Sequence, residues 1–413
     1  MRGTRRRSLA ARCATLSLLC VLLLAARPGG ASAQTVAQLV RTADMSVLSE
    51  IDVPPAWATT MGSGVTVAVL DTGADPTAPD LVGSVTVGPD YAAGIDPPGY
   101  QLPLLHGTYI SSIIAGHGSG PGRSEGMLGV APQARILSVR VIPDDQEPGF
   151  DVYNENADYD NAIADGITYA VAHGASVINM SLSADYNRGL RQAIAAAIAH
   201  GVVIVAAAGN SGTAGGGFTA YTYPASVPGV ISVAAVDASG ERASFSDDNS
   251  SVVVAAPGVN VDGAVAGGQY IEGSGTSPAS AFVAGVAALI RAAYPRLTPV
   301  QVMQAIVMST THRPPGGYSP AVGFGEVDAD AALTAAGTLA HTPAARGLAG
   351  TAHFGPRLRG PIVVVPRDRT RIAVEAAVAL AAVLGFLAAA VALIAAARRR
   401  RRVLPDLTME GPG

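Results

Sequence analysis

Short apolar runs that alternate with helical patterns constrain the fold of this chain more than any other feature. Runs that are apolar at nearly every position are typical of strands buried on both faces of a parallel sheet. The runs are Val65–Leu70, Ile136–Ile142, Ala175–Leu182, Val202–Ala208 and Val230–Val236. Helical periodicity falls between them, as in 158–173 and 188–200, and a last helix is expected from Thr298 to Met308. The alternation predicts an α/β fold with a doubly wound, mostly parallel sheet and helices on both faces.

Two hydrophobic segments near the ends of the chain predict export and membrane anchoring. Residues 1–33 combine early arginines, an apolar core and a small-residue cleavage site at Ala31-Ser32-Ala33, as a secretory signal peptide does. The pair Arg5-Arg6 leaves both the general and the twin-arginine export routes open. Residues 372–397 are apolar and long enough to cross a bilayer, which takes about 20 residues, and five arginines follow. A buried core helix is the alternative interpretation of this second segment.

These segments predict a single-pass protein of the cell membrane with its α/β domain on the extracytoplasmic side. The predicted order is a signal peptide (1–33), an N-terminal extension (34–50), the α/β domain (51–336), an Ala/Gly/Pro/Arg-rich stalk (337–371), a transmembrane helix (372–397) and a cytoplasmic tail (398–413). The formal net charge of −4 gives no indication of nucleic-acid binding. Both cysteines, Cys13 and Cys20, lie in the signal segment, so the mature chain would contain no disulfide.

Four polar residues stand where a ligand of an open α/β sheet would bind, beyond the carboxyl ends of the strands. Asp71 directly follows the run "VTVAVL", and Asn210 follows "VVIVAAA" and a glycine. His106 opens the helical pattern "HGTYISSIIAG", and Ser277 opens the pattern that ends near Ile290. A serine with a histidine base and a carboxylate behind it is the arrangement that activates a hydroxyl for attack on a carbonyl.

Each of these residues also has an ordinary structural explanation. An aspartate after a strand often forms a turn, a histidine at a helix start is often exposed, and an asparagine after "AAG" suits a turn. Ser277 before Pro278 is well placed to be a simple N-cap residue. The order and context of all four residues favour the catalytic interpretation.

The stretches "VAVLDTGAD", "HGT", "AAGNSG" and "GSGTSPASAFVAGVAAL" resemble the signature blocks of subtilisin-like serine proteases. The order Asp, His, Ser also matches that family. The resemblance spans roughly 57–328 and implies a subtilisin-like peptidase domain. It also implies a serine endopeptidase that acts on proteins or peptides and needs no cofactor.

The resemblance implies a role for each candidate residue. Ser277 would be the nucleophile, His106 the base, and Asp71 the carboxylate that orients the imidazole. Asn210 would donate to the oxyanion. The family's substrate-binding segments correspond to an edge formed by Ser181, Leu182 and Ser183 and a pocket wall formed by Ala207, Ala208 and Gly209.

Three residues depart from the pattern common in that family. Tyr109 stands where a second histidine is frequent, Pro278 follows the nucleophile, and Ser183 replaces a frequent glycine on the substrate edge. None of these changes removes a catalytic group. The Ser183 change leaves the specificity of the pocket undetermined.

The arrangement of an exported subtilase with a C-terminal membrane helix and a short basic tail resembles the mycosins, which are associated with type VII secretion. That resemblance implies an N-terminal extension laid along the catalytic domain. It also implies a membrane secretion complex as a partner. The alternative is a scaffold, a subtilase fold kept as a structural partner of such a complex with catalysis secondary.

An acidic stretch, 144–160, holds seven acidic residues and no basic one. It follows the run that ends at Ile142, so it is expected near the carboxyl end of the sheet. A solvated loop, a weak calcium site and a charged fence that attracts basic substrates all remain open. Since the stretch has no spaced ligand pattern, we predict no metal site.

Overall fold

A seven-stranded sheet organises residues 34–341, which are the residues that the computed structural model describes. The strands are β1 Thr66–Asp71, β2 Val85–Asp90, β3 His117–Ser119, β4 Glu125–Leu128, β5 Arg135–Arg140, β6 Val177–Met180, β7 Val203–Ala207, β8 Ile231–Val236, β9 Val252–Pro257, β10 Val261–Val265 and β11 Gln269–Gly273. The large sheet has the order β2-β5-β1-β6-β7-β8-β9, and all its neighbouring strands are parallel. Two antiparallel pairs, β3 with β4 and β10 with β11, lie outside it.

Helices cover both faces of the large sheet, as the alternation predicts. They are α1 Val36–Glu50, α2 Val53–Ala56, α3 Leu105–Ala115, α4 Phe150–Glu155, α5 Ala162–Ala172, α6 Arg188–Ala199, α7 Thr276–Ala293, α8 Pro299–Ser309 and α9 Ala329–His341. Successive residues of β1 point to opposite faces. Val67 and Val69 join the core cluster that includes α3 and α7, while Ala68 and Leu70 join the cluster that includes α5 and α6. The expected α/β architecture is confirmed.

The two edge strands of the large sheet were not predicted. β2 contains Gly88 and Pro89 and is largely exposed, so it lacks the apolar run that marks a buried strand. β9 is buried, but no helical segment separates it from β8 or from β10. The helix predicted at 158–173 begins only at Ala162, because a 3₁₀ turn occupies Ala157–Tyr159.

The predicted N-terminal extension forms α1, which packs against β4 and β10. The Arg41 guanidinium donates to the carbonyl oxygens of Gly126 at 2.8 Å and Glu125 at 2.9 Å. The buried Asp44 carboxyl group accepts from the N–H of Leu128 at 2.8 Å. Side chains of α1 therefore make hydrogen bonds to backbone groups of β4.

Only α7, within the described residues, is long and apolar enough to cross a membrane, and 83% of it is buried inside the domain. It is the central core helix. At the C-terminal side, α9 continues past residue 336 to His341. The signal peptide, the predicted membrane helix, the cytoplasmic tail and the rest of the predicted stalk lie outside the described residues.

The order of the strands determines where the chemistry collects. From β1, the chain adds β2 and β5 on one side and β6 to β9 on the other. The connections therefore reverse direction between β1 and β6, and ligands of such sheets bind at the carboxyl ends of the strands beside that reversal. Asp71 is the last residue of β1, and Ser181 directly follows β6.

Candidate active site

Asp71 is fully buried at the end of β1. Its Oδ1 atom accepts a hydrogen bond from the N–H of Thr72 at 2.8 Å and lies 2.7 Å from Nδ1 of His106. Its Oδ2 atom is buried without a hydrogen-bond partner in the described residues. The carboxylate is thus directed at the imidazole by the strand end that carries it.

His106 is the second residue of α3, and close contact with the end of β1 holds this helix start in place. The N–H of Gly107 donates to Oγ1 of Thr72 at 3.0 Å. A Cβ atom at Gly107 would lie 2.2 Å from the carbonyl oxygen of Gly73, so only glycine allows this approach. With Nδ1 occupied by Asp71, the Nε2 atom is free to exchange a proton with a second group.

Two opposing effects determine the pKa of His106. Burial lowers this pKa, but the charge and hydrogen bond of Asp71 outweigh burial, and the charges of Asp144 and Asp145 add to them. The net effect raises the pKa above the usual value for histidine. The imidazole side chain is still 34% exposed, so a substrate can reach it.

Ser277 lies in the first turn of α7, as predicted, but it is not the N-cap residue. The N-cap position is Gly275, which makes no side-chain cap. The Ser277 hydroxyl instead donates to the carbonyl oxygen of Ser181 at 3.3 Å. The carbonyl oxygen of Ser277 accepts from Oγ of Ser181 at 3.1 Å and Oγ of Ser280 at 2.9 Å. The nucleophile candidate is therefore held against the predicted substrate edge, and within the described residues no hydrogen bond joins its hydroxyl to His106.

Asn210 has a fixed side-chain orientation at the end of the β7 segment. Its Oδ1 atom accepts from both the N–H and the hydroxyl of Thr276, each at 2.9 Å. The amide nitrogen Nδ2 is therefore the group left to donate. A Cβ atom built at Gly275 would lie 3.5 Å from Nδ2 and 3.6 Å from the backbone nitrogen of Ser277. Both nitrogen atoms therefore lie close to one point at the start of α7.

Asp247 holds the backbone on both sides of Asn210. Its N–H donates to the carbonyl oxygen of Gly209 at 2.9 Å, and its Oδ1 accepts from the N–H of Ser211 at 2.8 Å. Asp247 is fully buried, and burial raises its pKa. Sequence reasoning missed Asp247 and Thr276. Thr276 could have been found from its position beside Ser277, whereas no sequence pattern relates Asp247 to this loop.

The predicted substrate-binding segments end two adjacent strands, β6 and β7. Ser181 and Leu182 are buried, whereas Ser183 is exposed. Beyond them, Ala184 pairs with Tyr223 in an antiparallel bridge. A cavity of about 420 Å³ adjoins Ser183, and its lining includes Ile142, Phe150, Tyr153, Ser183, Tyr186 and Leu190. On the β7 side, Ala207, Ala208 and Gly209 are buried, and the hydroxyl of Thr222 donates to the carbonyl oxygen of Ala208 at 2.6 Å.

Tyr109 lies in the core beneath the site. It is 4% exposed, and its hydroxyl donates to the carbonyl oxygen of Val261 at 3.0 Å. A Cβ atom at Gly263 would lie 2.2 Å from the Tyr109 ring, so the ring packs directly on β10. The tyrosine thus ties α3 to β10.

The acidic stretch does not form one uniform solvated loop. Asp144 and Glu147 at its start are buried, while Asp145 and Asp151 are exposed. In the residues that the structure describes, no group of three or more His, Cys, Asp or Glu side chains is placed to hold a metal ion.

Comparison with known proteins identifies relatives of two kinds. Mycosin-3 of Mycobacterium tuberculosis is 36% identical over 394 residues, which cover 83% of this chain and 82% of that protein. Subtilisin E of Bacillus subtilis is 37% identical over 252 residues, which cover 61% of each chain. This chain thus spans about three fifths of the length of the curated subtilisin.

Two solved protease structures are also similar to this chain. The crystal structure of MycP1 with the N-terminal propeptide removed superposes with a TM-score of 0.59 at 29% identity, over 70% of this chain and 96% of that one. The MycP3 protease from the type VII (ESX-3) secretion system gives a TM-score of 0.57 at 32% identity, over 70% and 87%. The family model for subtilases matches residues 62–325, which is more than half of the sequence. The chain therefore belongs to the subtilase family of serine endopeptidases.

Proposed function

We propose that this protein is a serine endopeptidase in which Asp71, His106 and Ser277 act as one catalytic unit. The observation that carries the proposal is the 2.7 Å contact between Asp71 and Nδ1 of His106, at the sheet edge where Ser277 opens α7. An imidazole held in this way presents Nε2 as a base, and the carboxylate stabilises the imidazolium that forms. Membership of the subtilase family supports the same reaction.

In the proposed reaction, Oγ of Ser277 attacks the carbonyl carbon of the peptide bond while its proton passes to Nε2 of His106. The negative charge that develops on the carbonyl oxygen is stabilised by Nδ2 of Asn210 and the N–H of Ser277. His106 then gives its proton to the leaving amine. A water molecule, deprotonated by the same nitrogen, hydrolyses the acyl-enzyme and restores the serine.

The substrate is proposed to be a protein or peptide that binds in an extended conformation. Its backbone would pair with Ser181–Ser183, which is a form of strand addition. The residue before the cleaved bond would lie against Ala207–Gly209. The cavity beside Ser183, lined by aromatic and aliphatic side chains, would accept a further side chain of the same peptide. No metal and no cofactor takes part in this proposal.

A mycosin-like, membrane-anchored placement on the extracytoplasmic side is part of the proposal. The similarity to Mycosin-3 covers 83% of the chain, which is a larger share than the peptidase region 62–325 alone. The apolar segment 372–397 is the proposed anchor, and the tail 398–413 would lie in the cytoplasm. The related MycP3 comes from a type VII secretion system, which supports a membrane secretion complex as partner.

That same relative supports a second candidate function, a structural partner of the secretion complex in which catalysis is secondary. The intact set of Asp71, His106, Asn210 and Ser277 favours the peptidase, because a scaffold has no physical need for these four side chains.

Replacement of the nucleophile tests both candidates. Ser277→Ala should reduce peptide hydrolysis to the residual level that an oxyanion site and substrate binding leave, about 10³–10⁴ over water. Ser274→Ala is the matched control, because its hydroxyl contacts Asn260 outside the catalytic set and its loss should leave the rate unchanged. In cells that lack the gene, Ser277→Ala should fail to complement if the protein acts as a protease. Full complementation by Ser277→Ala would favour the scaffold instead.

A further inference from the structure

The loop after β5 lies against the start of α3, the helix that carries His106. Asp144 in this loop is 6% exposed. Its Oδ2 atom accepts from the N–H of Leu105 at 3.2 Å, and its Oδ1 accepts from the N–H of His106 at 3.4 Å. The first N–H groups of a helix have no partners within the helix. Asp144 therefore caps α3 from a distant part of the chain.

This helix has no cap of its own. The N-cap residue is Leu104, which has a φ of 49° and a side chain without a hydrogen-bond acceptor. Helices usually obtain this contact from a serine, threonine, aspartate or asparagine at the N-cap position. In α3 the contact comes from Asp144, so the first turn of the helix depends on where the loop places that carboxylate.

An ion-pair network fixes Asp144 to the sheet. Its N–H donates to Oε1 of Glu147 at 2.8 Å, and Oε2 of Glu147 lies 2.5 Å from the guanidinium of Arg140. Arg140 also contacts both carboxylate oxygens of Asp90, at 2.7 and 2.8 Å. Arg140 ends β5 and is the register partner of Asp71 on β1. The paired strands β1 and β5 thus position both groups: β1 carries Asp71, which contacts the imidazole, and β5 carries Arg140, which holds the network around Asp144.

Three acidic residues act on His106: Asp71, Asp144 and Asp145. Each raises the pKa of the imidazole against the lowering effect of burial. Burial raises the pKa of Asp144 itself, and the N–H groups of Leu105 and His106 oppose that effect. Asp145 is exposed and, within the described residues, has no hydrogen bond to α3. Asp144 therefore combines a charge effect with a geometric one, whereas its neighbour supplies charge alone.

We propose that Asp144 is a positioning residue for the peptidase reaction: by capping α3 it holds the imidazole of His106 in line between Asp71 and Ser277. The inference rests on the proposed catalytic roles of those three residues. Arg140 and Glu147 support it by holding Asp144 in place. Displacement of a reacting group by about 1 Å can cost about 10²-fold in rate, so a helix start that shifts slightly has a measurable effect.

The test compares Asp144→Ala, Asp144→Asn and the matched control Asp145→Ala in the purified full-length protein. Two assays are run across pH. Steady-state kinetics on an extended peptide gives kcat and KM, and mass spectrometry follows the rate at which diethyl pyrocarbonate modifies His106. Loss of either negative charge should lower the pKa of His106, so the acidic limb of kcat should move to lower pH in all three variants. In the high-pH plateau, the kcat of Asp145→Ala should match that of the wild type.

Asp144→Ala should lower the plateau kcat by about 10- to 10²-fold with KM unchanged. Asp144→Asn keeps one acceptor oxygen and should regain part of that loss. A plateau kcat in Asp144→Ala equal to that of Asp145→Ala would overturn the inference. If Asp144→Ala does not fold, Asp144→Asn tests the inference instead. A plateau kcat in Asp144→Asn equal to that of Asp145→Ala would then overturn the positioning role.

The two readouts also separate this inference from the proposed function. A wild type that hydrolyses peptide through Ser277 while Asp144 variants keep their plateau refutes only the positioning role. A wild type without hydrolysis refutes the proposed function. In that case the rate at which His106 is modified still tests the cap. At high pH this rate should differ from the wild-type rate in Asp144→Ala and equal it in Asp145→Ala. Equal rates in the two variants would refute the cap as well.

Discussion

Asn210 shows how a single catalytic candidate depends on neighbours that do no chemistry themselves. Thr276 uses its N–H and its hydroxyl to hold the amide oxygen, which turns Nδ2 toward Ser277. Asp247 binds the backbone before and after Asn210. Gly209 completes the arrangement, because its φ of 115° suits glycine and its missing Cβ leaves room for the carboxylate of Asp247.

Gly209→Ala should therefore impair catalysis. A Cβ atom there would lie 2.3 Å from Oδ2 of Asp247, so either the carboxylate or the loop that carries Asn210 has to move. We expect kcat to fall by at least about 10-fold, toward the 10²–10³-fold loss that removal of an oxyanion donor causes in subtilisin. Steady-state kinetics on one peptide measures the effect.

Gly217→Ala is the matched control for this substitution. Gly217 has the same φ of 115°, but a Cβ atom there meets nothing within 4 Å. In both variants an alanine has to adopt a positive φ, which costs of order 1 kcal/mol or more. Only Gly209→Ala also disturbs Asp247. Equal activities of the two variants would contradict the dependence of Asn210 on this packing.

At the residue scale, sequence reasoning singled out polar residues that follow an apolar run or open a helical pattern. Asp71 and Asn210 follow apolar runs, whereas His106 and Ser277 open helical patterns, and the structure brings these residues to one edge of the sheet. Asp144, Thr276 and Asp247 were not predicted as parts of the site. Their contacts join segments 36 to 66 residues apart, which no local pattern reveals. The N-cap interpretation of Ser277 was wrong, because the chain enters α7 through Gly275.

Among the elements, α1 carries a titratable group with a large pKa shift, Asp44. Burial raises the pKa of Asp44 from 3.8 to about 8, aided by the charges of Asp262 and Asp80 and opposed by the N–H of Leu128 and by Arg41. In the folded protein Asp44 therefore keeps its proton up to about pH 8, while in the unfolded chain it loses the proton near pH 4. The folded state binds more protons in this range, so its stability should fall as pH rises from about 4 to about 8.

Asp44→Asn should remove this part of the pH dependence. The amide keeps an oxygen to accept from Leu128 but carries no charge at any pH. The variant should match the wild type near pH 4 and become more stable than it by up to about 1.4 kcal/mol for each pH unit toward pH 8. Chemical denaturation at several pH values measures the difference. Two parallel stability curves would show that Asp44 ionises normally in the folded protein.

The element scale also shows what limits prediction of the fold. Strands buried on both faces, such as β1, β6 and β7, were predicted within a few residues because most of their positions are apolar. β2 was missed because an edge strand with one covered side needs no such run. The helix α9 crosses the boundary drawn at 336, because a composition rich in alanine and glycine does not distinguish a helix end from a stalk.

At the scale of the whole molecule, the similarity to Mycosin-3 reaches beyond the peptidase region. If residues 372–397 anchor the protein, the full chain should sediment with membranes and resist carbonate extraction. Protease added outside spheroplasts should cleave within 337–371 and spare an epitope fused after Gly413. A variant truncated after 341 is the matched control and should be released. Recovery of the full-length chain in the medium would refute the anchor.

The central claim is that Asp71, His106 and Ser277 form one working unit, and a fluorophosphonate probe tests it most directly. The probe forms a covalent bond with a serine that a neighbouring base has activated. After digestion and mass spectrometry, the wild-type protein should carry the adduct on Ser277, and His106→Ala should lose it while remaining folded. An adduct on another serine, or undiminished labelling of Ser277 in His106→Ala, would contradict the claim.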